Sequence, residues 1–171
     1  MVNPLGHIFD IVPGTVPADL QTAVAGDYVS LKNVTGGVLV VFFKAAGTAA
    51  DDPTLELQQA KTVAGGEAKD LNGFIKIHKK QGAALTAVGS WTEVSQTADE
   101  DFVGDGTSAE EQGLYAAWIP VDLLDVDNGF DCLQVNVKDT GTNAQLGCVL
   151  LFLCGLRYQA APADLPSAIV D

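Results

Sequence analysis

Four carboxylates, Asp122, Asp125, Asp127 and Asp131, crowd around Asn128-Gly129, and oxygen donors at that density invite a hard cation such as calcium. A calcium EF-hand loop needs the pattern D-x-[DN]-x-[DN]-G with a glutamate at its far end. Counted from Asp125, Gly129 stands where an oxygen donor is required, so the motif fails. A solvated turn with Asn-Gly at its tip is the expectation, and no metal is called for. The run Asp99-Glu100-Asp101, with Asp105 and Glu110-Glu111, offers carboxylates for glycoside hydrolysis. That chemistry requires two carboxyls facing each other across a cleft, which nothing in this Gly-bearing stretch imposes. Hydrated acids on a loop are the plainer expectation.

Other chemistry is thinner. The only histidines are His7 and His78, which excludes a tri-histidine metal site, and no Gly-x-Ser-x-Gly elbow supports a serine nucleophile. Cys132, Cys148 and Cys154 all lie in apolar runs with no basic neighbour. An odd count without a CxxC pair points to buried free thiols acting as small hydrophobes in a reducing cytoplasm. Gly104-Asp105-Gly106 and Gly65-Gly66 lack the lysine and strand-to-helix setting of a phosphate loop. Trp91, Trp118 and Tyr115 are candidate sugar-stacking residues, although their apolar neighbours favour core anchors. No catalytic, cofactor-binding or metal-binding residue is assigned, and the chain reads as no enzyme.

The elements that would carry such residues are strands. Val38-Leu39-Val40-Val41-Phe42-Phe43 is too short for a core helix or a membrane span and reads as a central strand buried on both faces. Val149-Leu150-Leu151-Phe152-Leu153 is a second such run. Alternation places Leu55 and Leu57 on one face, Ile75 and Ile77 opposite Lys76 and His78, and Leu133, Val135 and Val137 together. Asp27 to Val34 reads as a first strand closed by Gly36-Gly37, and Ala87 to Val94 as another anchored by Trp91. Thr140-Gly141-Thr142-Asn143 is turn chemistry for a hairpin into 145–158.

The fold class that follows is all-β: an antiparallel β-sandwich or barrel, jelly-roll-like, over residues 27–158. Residues 97–112 form an acidic loop insertion within it. Pro4, Pro13 and Pro17 bar a long helix or central strand from residues 1–26, which read as an extended N-terminal arm on this molecule or a neighbour. Residues 159–171, with two prolines, read as a C-terminal arm.

With 22 acidic against 9 basic residues, the formal charge is −13, which disfavours duplex nucleic acid and anionic membranes as partners. Five basic residues, Lys61, Lys69, Lys76, Lys79 and Lys80, fall within twenty positions, while acids crowd 99–111 and 122–131. Patches of opposite sign on different faces would let neighbouring copies meet, in a dimer or trimer. The first residues, Met-Val-Asn-Pro-Leu-Gly-His, lack the basic and apolar regions of a secretion signal, so synthesis in a cytoplasm is expected.

The block from Lys44 to Ala60, KAAGTAADDPTLELQQA, resembles one found in small structural proteins of tailed bacteriophages. The likeness continues through Ala68-Lys69-Asp70-Leu71, Ile75-Lys76-Ile77 and Ala87-Val88-Gly89-Ser90-Trp91-Thr92-Glu93-Val94, covering about residues 27–96. It implies a capsid decoration, or cement, protein that binds the major capsid protein and braces the shell after expansion. Its place would then be the capsid surface of a virion assembled in the host cytoplasm. The family has no catalytic residues to transfer, and residues 97–171 carry none of its motifs. A tail- or fibre-associated β-domain binding host surface glycans is the alternative.

Overall fold

The structure is a computed structural model that describes residues 3–46, 54–84, 86, 89–103, 112–138 and 143–169. Within them the chain forms eleven strands: β1 (Phe9–Asp19), β2 (Val29–Ser30), β3 (Val34–Ala46), β4 (Thr54–Ala60), β5 (Lys69–Asp70), β6 (Phe74–Gly82), β7 (Thr92–Asp99), β8 (Asp101–Val103), β9 (Gln112–Pro120), β10 (Cys132–Val137) and β11 (Gln145–Leu156). One sheet has the order β1-β11-β3-β9-β6-β7; the other has the order β2-β10-β4-β5, with β8 also pairing β4. Every pairing between strands is antiparallel. The two sheets are open and pack face to face, so the molecule is an all-β sandwich and the barrel alternative falls away.

Period-two alternation makes the core. Val38, Val40 and Phe42 of β3 point inward with Val149, Leu151 and Leu153 of β11, and meet Leu55, Leu57, Leu133 and Val135 from the facing sheet. A chain of tilted aromatic rings ties the layers together: Phe42 to Tyr115 at 5.7 Å, Tyr115 to Phe102 at 5.7 Å and Phe102 to Phe74 at 6.1 Å. Phe102 comes from β8 in one sheet and the other three rings from the opposite sheet, so the stack bridges the sandwich. The Tyr115 hydroxyl accepts a 2.8 Å hydrogen bond from Gln81 Nε2, which satisfies the polar tip that burial would otherwise strand.

Several sequence expectations change. Of the two placements expected for the N-terminal arm, its described residues take the one on this molecule: Phe9–Asp19 is the edge strand of the larger sheet, paired along β11. Its prolines are tolerated because an edge strand has a side with no ladder to complete. Register shifts flank Thr15, whose hydroxyl accepts a 2.9 Å bond from Val149 N in place of a ladder bond. The C-terminal segment also folds back on its own molecule. Ser30 N donates to Ala168 O at 2.6 Å, and Leu165 and Ala168 pack against the core. Of the expected first strand, Val29–Ser30 forms β2 and Val34 already opens β3, so Gly36-Gly37 lies inside β3 rather than closing a strand before it.

The stretch 97–112 is not one loop either: Thr97–Asp99 completes β7, Asp101–Val103 is β8, and Gln112 opens β9. Residues 104–111, which include Asp105 and Glu110-Glu111, lie outside the described residues. So do Thr140–Thr142, but their neighbours belong to different sheets, so β10 to β11 is a crossover and not a hairpin.

Candidate functional site

Strand β3 has apolar residues at every position from Val38 to Phe43, so its second face is apolar as well, and no part of the described chain covers it. The expectation of burial on both faces is overturned: Leu39 and Val41 are half-buried and Phe43 is 39% exposed. Directly paired residues in neighbouring strands point the same way, so the register lays this outer face out in rows. One row runs Ile11, Phe152, Leu39, Trp118 across β1, β11, β3 and β9. The next runs Pro13, Leu150, Val41, Ala116, and the third Cys148, Phe43, Leu114. Exposure reaches 41% at Ile11, 37% at Leu150 and 48% at Trp118.

Local sequence explains how this surface holds its shape. A Cβ at Gly37 would stand 2.6 Å from Trp118 Cζ2, so only glycine lets the indole lie down on the neighbouring strand. Phe9 and Phe152 pack with ring centroids 5.7 Å apart, which pins the β1 edge to the same face. Cys148 and Cys154 stand on this face, half-buried, so the reading of buried thiols holds for Cys132 alone. Partial burial pushes the Cys154 thiol up from its ordinary value.

The margins carry charge. On the β6 side, His78 is paired with Ala116 and Lys80 with Leu114, which extends the rows with an imidazole and an ammonium. Glu93 of β7 meets Lys76 at 3.1 Å and His78 at 3.5 Å, and the Lys76 hydrogen bond holds its carboxyl below the usual range. Lys80 Nζ sits 4.6 Å above the Trp91 ring. The β1 side has no basic residue; the register turns Asp19 to this face beside exposed Leu146, while Asp10 pairs with inward-facing Leu153 and points away from it. Beside Trp118, a depression of about 320 Å³ is lined by Gly73, Ile75, Lys76, His78, Pro120 and Leu123.

The other sheet's outer face is polar and closed on itself. Tyr28 OH donates to Gln58 Oε1 at 3.0 Å, and Gln58 Nε2 to Asp70 Oδ1 at 3.3 Å. Asn136 Nδ2 donates to Glu56 Oε2 at 3.1 Å, and its Oδ1 accepts from Gly26 N at 3.1 Å. Burial, then Glu56 and Asp70, push the Tyr28 hydroxyl above its ordinary value.

The acids singled out for chemistry are occupied differently. Lys69 Nζ lies 2.5 Å from Asp125 Oδ2, and Asn128 Nδ2 donates to Asp125 Oδ1 at 2.8 Å. The lysine bond, then that amide bond, hold the Asp125 carboxyl below its usual range. Asp125 is therefore engaged by an ammonium and an amide. The Asn-Gly tip is a tight turn with Gly129 at φ 86°. Among the described residues, no three His, Cys, Asp or Glu side chains converge as metal ligands. Asp101 is bridged by Lys138 Nζ at 2.7 Å, and the same lysine reaches Glu56 at 3.1 Å. Hydrogen bonding to Asp101 is the main cause that raises the Lys138 pKa to about 12.

The basic cluster is also split. Lys61 and Lys69 flank the Phe130 ring and pair with Glu67 and Asp125, interleaving with the acidic stretch, whereas Lys76 and Lys80 lie at the apolar face. Of the stacking candidates, Tyr115 is a core residue, while Trp91 (45% exposed) and Trp118 are no core anchors. Comparison with protein-family models, with curated proteins and with solved structures finds no match.

Proposed function

We propose that this chain is a structural protein of a tailed-phage virion, a head decoration or cement protein that binds the major capsid protein lattice and stabilises it. The observation that carries this reading is the apolar outer face of the six-stranded sheet, four strands wide and flanked by charge. A contiguous exposed apolar surface of that kind marks a site of protein contact. Support also comes from the phage-like block, which falls on the end of β3 and on β4, and from the charge of −13, which opposes direct binding of the packaged nucleic acid. Repetition around a shell turns modest contacts into a strong lock. The reading places the protein on the capsid surface after assembly in the host cytoplasm. No catalytic step is required of it.

Mixing the purified chain with expanded empty capsids is the test. Saturable binding with a raised capsid melting temperature is the expected result; no binding at micromolar concentration overturns it. One observation favours a second reading, a tail or fibre domain that binds host glycans: Trp118 is exposed beside a depression holding Lys76 and His78. Glycan-array binding that disappears in a Trp118→Ala variant of unchanged fold would select it.

A further inference from the structure

We propose that the outer face of the six-stranded sheet pairs with the same face of a second copy, about a two-fold axis that runs parallel to the strands over β3. The proposal stands apart from the virion reading, since it concerns only this chain with itself. Three observations lead to it.

Charge comes first. A protein at −13 repels its own copies, and association is favoured through a surface that carries few carboxylates. Glu93 is the acid on the β6 side of this face, and it is already engaged by Lys76 and His78.

Area comes second. Four strands spaced about 4.8 Å apart, with four outward rows about 6.8 Å apart (the three above and Phe9, Cys154, Gly37, Pro120), make a patch of about 500 Å². Two such patches bury about 1,000 Å² together, the lower bound for a specific protein interface.

The third observation is the sheet order. β3 lies midway between β1 and β6, so the proposed axis sets β11 of one copy over β9 of the other and β1 over β6. The margin that carries Asp19 but no cation then meets the margin that carries Lys76 and Lys80. An axis along the strands preserves the rows. Asp19 shares its row with Leu146, Ala45, Gln112 and Gly82, one outward row from Lys80. Opposite signs thus meet at both margins, with Leu39, Val41 and Phe43 of the two copies facing each other at the centre. Sheets packed face to face keep their strands within about 30° of one another, as this arrangement requires.

Sedimentation equilibrium on the full chain tests the proposal. A dimer at micromolar concentration is expected, with Leu150→Lys weakening it at least about tenfold while circular dichroism and melting temperature stay near those of the parent. Lys80→Glu should weaken the dimer less. Adding Asp19→Asn should recover part of that loss by removing the like charge while keeping an oxygen to accept from Gln145 N. A monomeric parent, or a dimer indifferent to Leu150→Lys, overturns the proposal. A monomer that binds capsids and loses that binding in Leu150→Lys would give the face to the shell and also overturn it. A dimer that ignores capsids would support the pairing and count only against the virion reading.

Discussion

The two outward faces of this sandwich come from the same kind of strand and end in opposite chemistry. On the smaller sheet, Gln134, Asn136 and Glu56 bond to one another and to the backbone of Gly26, and Gln58 bonds to Tyr28 and Asp70, so that surface is satisfied without a partner. On the larger sheet, the equivalent positions are Leu39, Val41, Phe43, Leu150 and Trp118, which have no polar demand and leave apolar area in water. An antiparallel sheet commonly has one solvated face, and the smaller sheet follows that rule. The larger sheet breaks it. Strand patterning here leaves one outward face polar and satisfied within the molecule and the other apolar and uncovered by the described residues.

Substitutions that separate the two faces would sharpen the contrast. The largest effect is expected in the core that both sheets share: Phe42→Ala should cost about 3–5 kcal/mol in urea unfolding, because the ring also holds Tyr115 in place. Next is Gly37→Val, whose side chain must displace the Trp118 indole; a loss of about 1–3 kcal/mol is expected, with a change in tryptophan emission. On the polar face, Asn136→Leu leaves Gly26 N without its acceptor and should cost about 1–3 kcal/mol, measured by thermal melting. On the apolar face, Leu150→Gln should change melting by no more than about 0.5 kcal/mol at concentrations where the chain is monomeric, yet reduce retention on a hydrophobic column. If Leu150→Gln proves as damaging as Asn136→Leu, the outer face is structural and the contrast fails.

The smallest effects are those of pH. Lys138 has a folded-state pKa raised above its unfolded value, so its contribution is complete below about 10.5 and is lost as pH rises towards about 12. Glu93 and Asp125 have lowered values, so their contributions are present above the ordinary carboxylate range and fade as acid takes pH below it. These groups are exposed and water screens them, so a nearly flat melting temperature between those limits is expected.

Period-two patterning made Leu55 and Leu57, and Leu133, Val135 and Val137, legible as inward residues from sequence alone, and the register pairs Val135 with Leu57 and Val137 with Leu55. The outer face was not legible in the same way. A run such as Val38 to Phe43 says that both sides are apolar, but not whether the second side is covered by this chain or by another molecule. The same ambiguity hid Trp118, which has apolar neighbours in sequence because the whole surface is apolar. Proline rightly excluded a central strand at β1, but the edge pairing with β11 depends on contacts more than a hundred residues away and was not legible. The pairing of Lys69 with Asp125 is equally remote in sequence, and local spacing gave no sign of it.

Pro13 and Pro17 have one more effect. Lacking N–H groups, they spoil the free rim of β1 as a template for another chain's backbone, and the C-terminal segment already occupies the rim of β2 at Ser30. Growth by hydrogen bonding from rim to rim, the route to fibrils, is obstructed at both places. The apolar flank that the described residues leave uncovered thus comes without an open backbone ladder at these two rims.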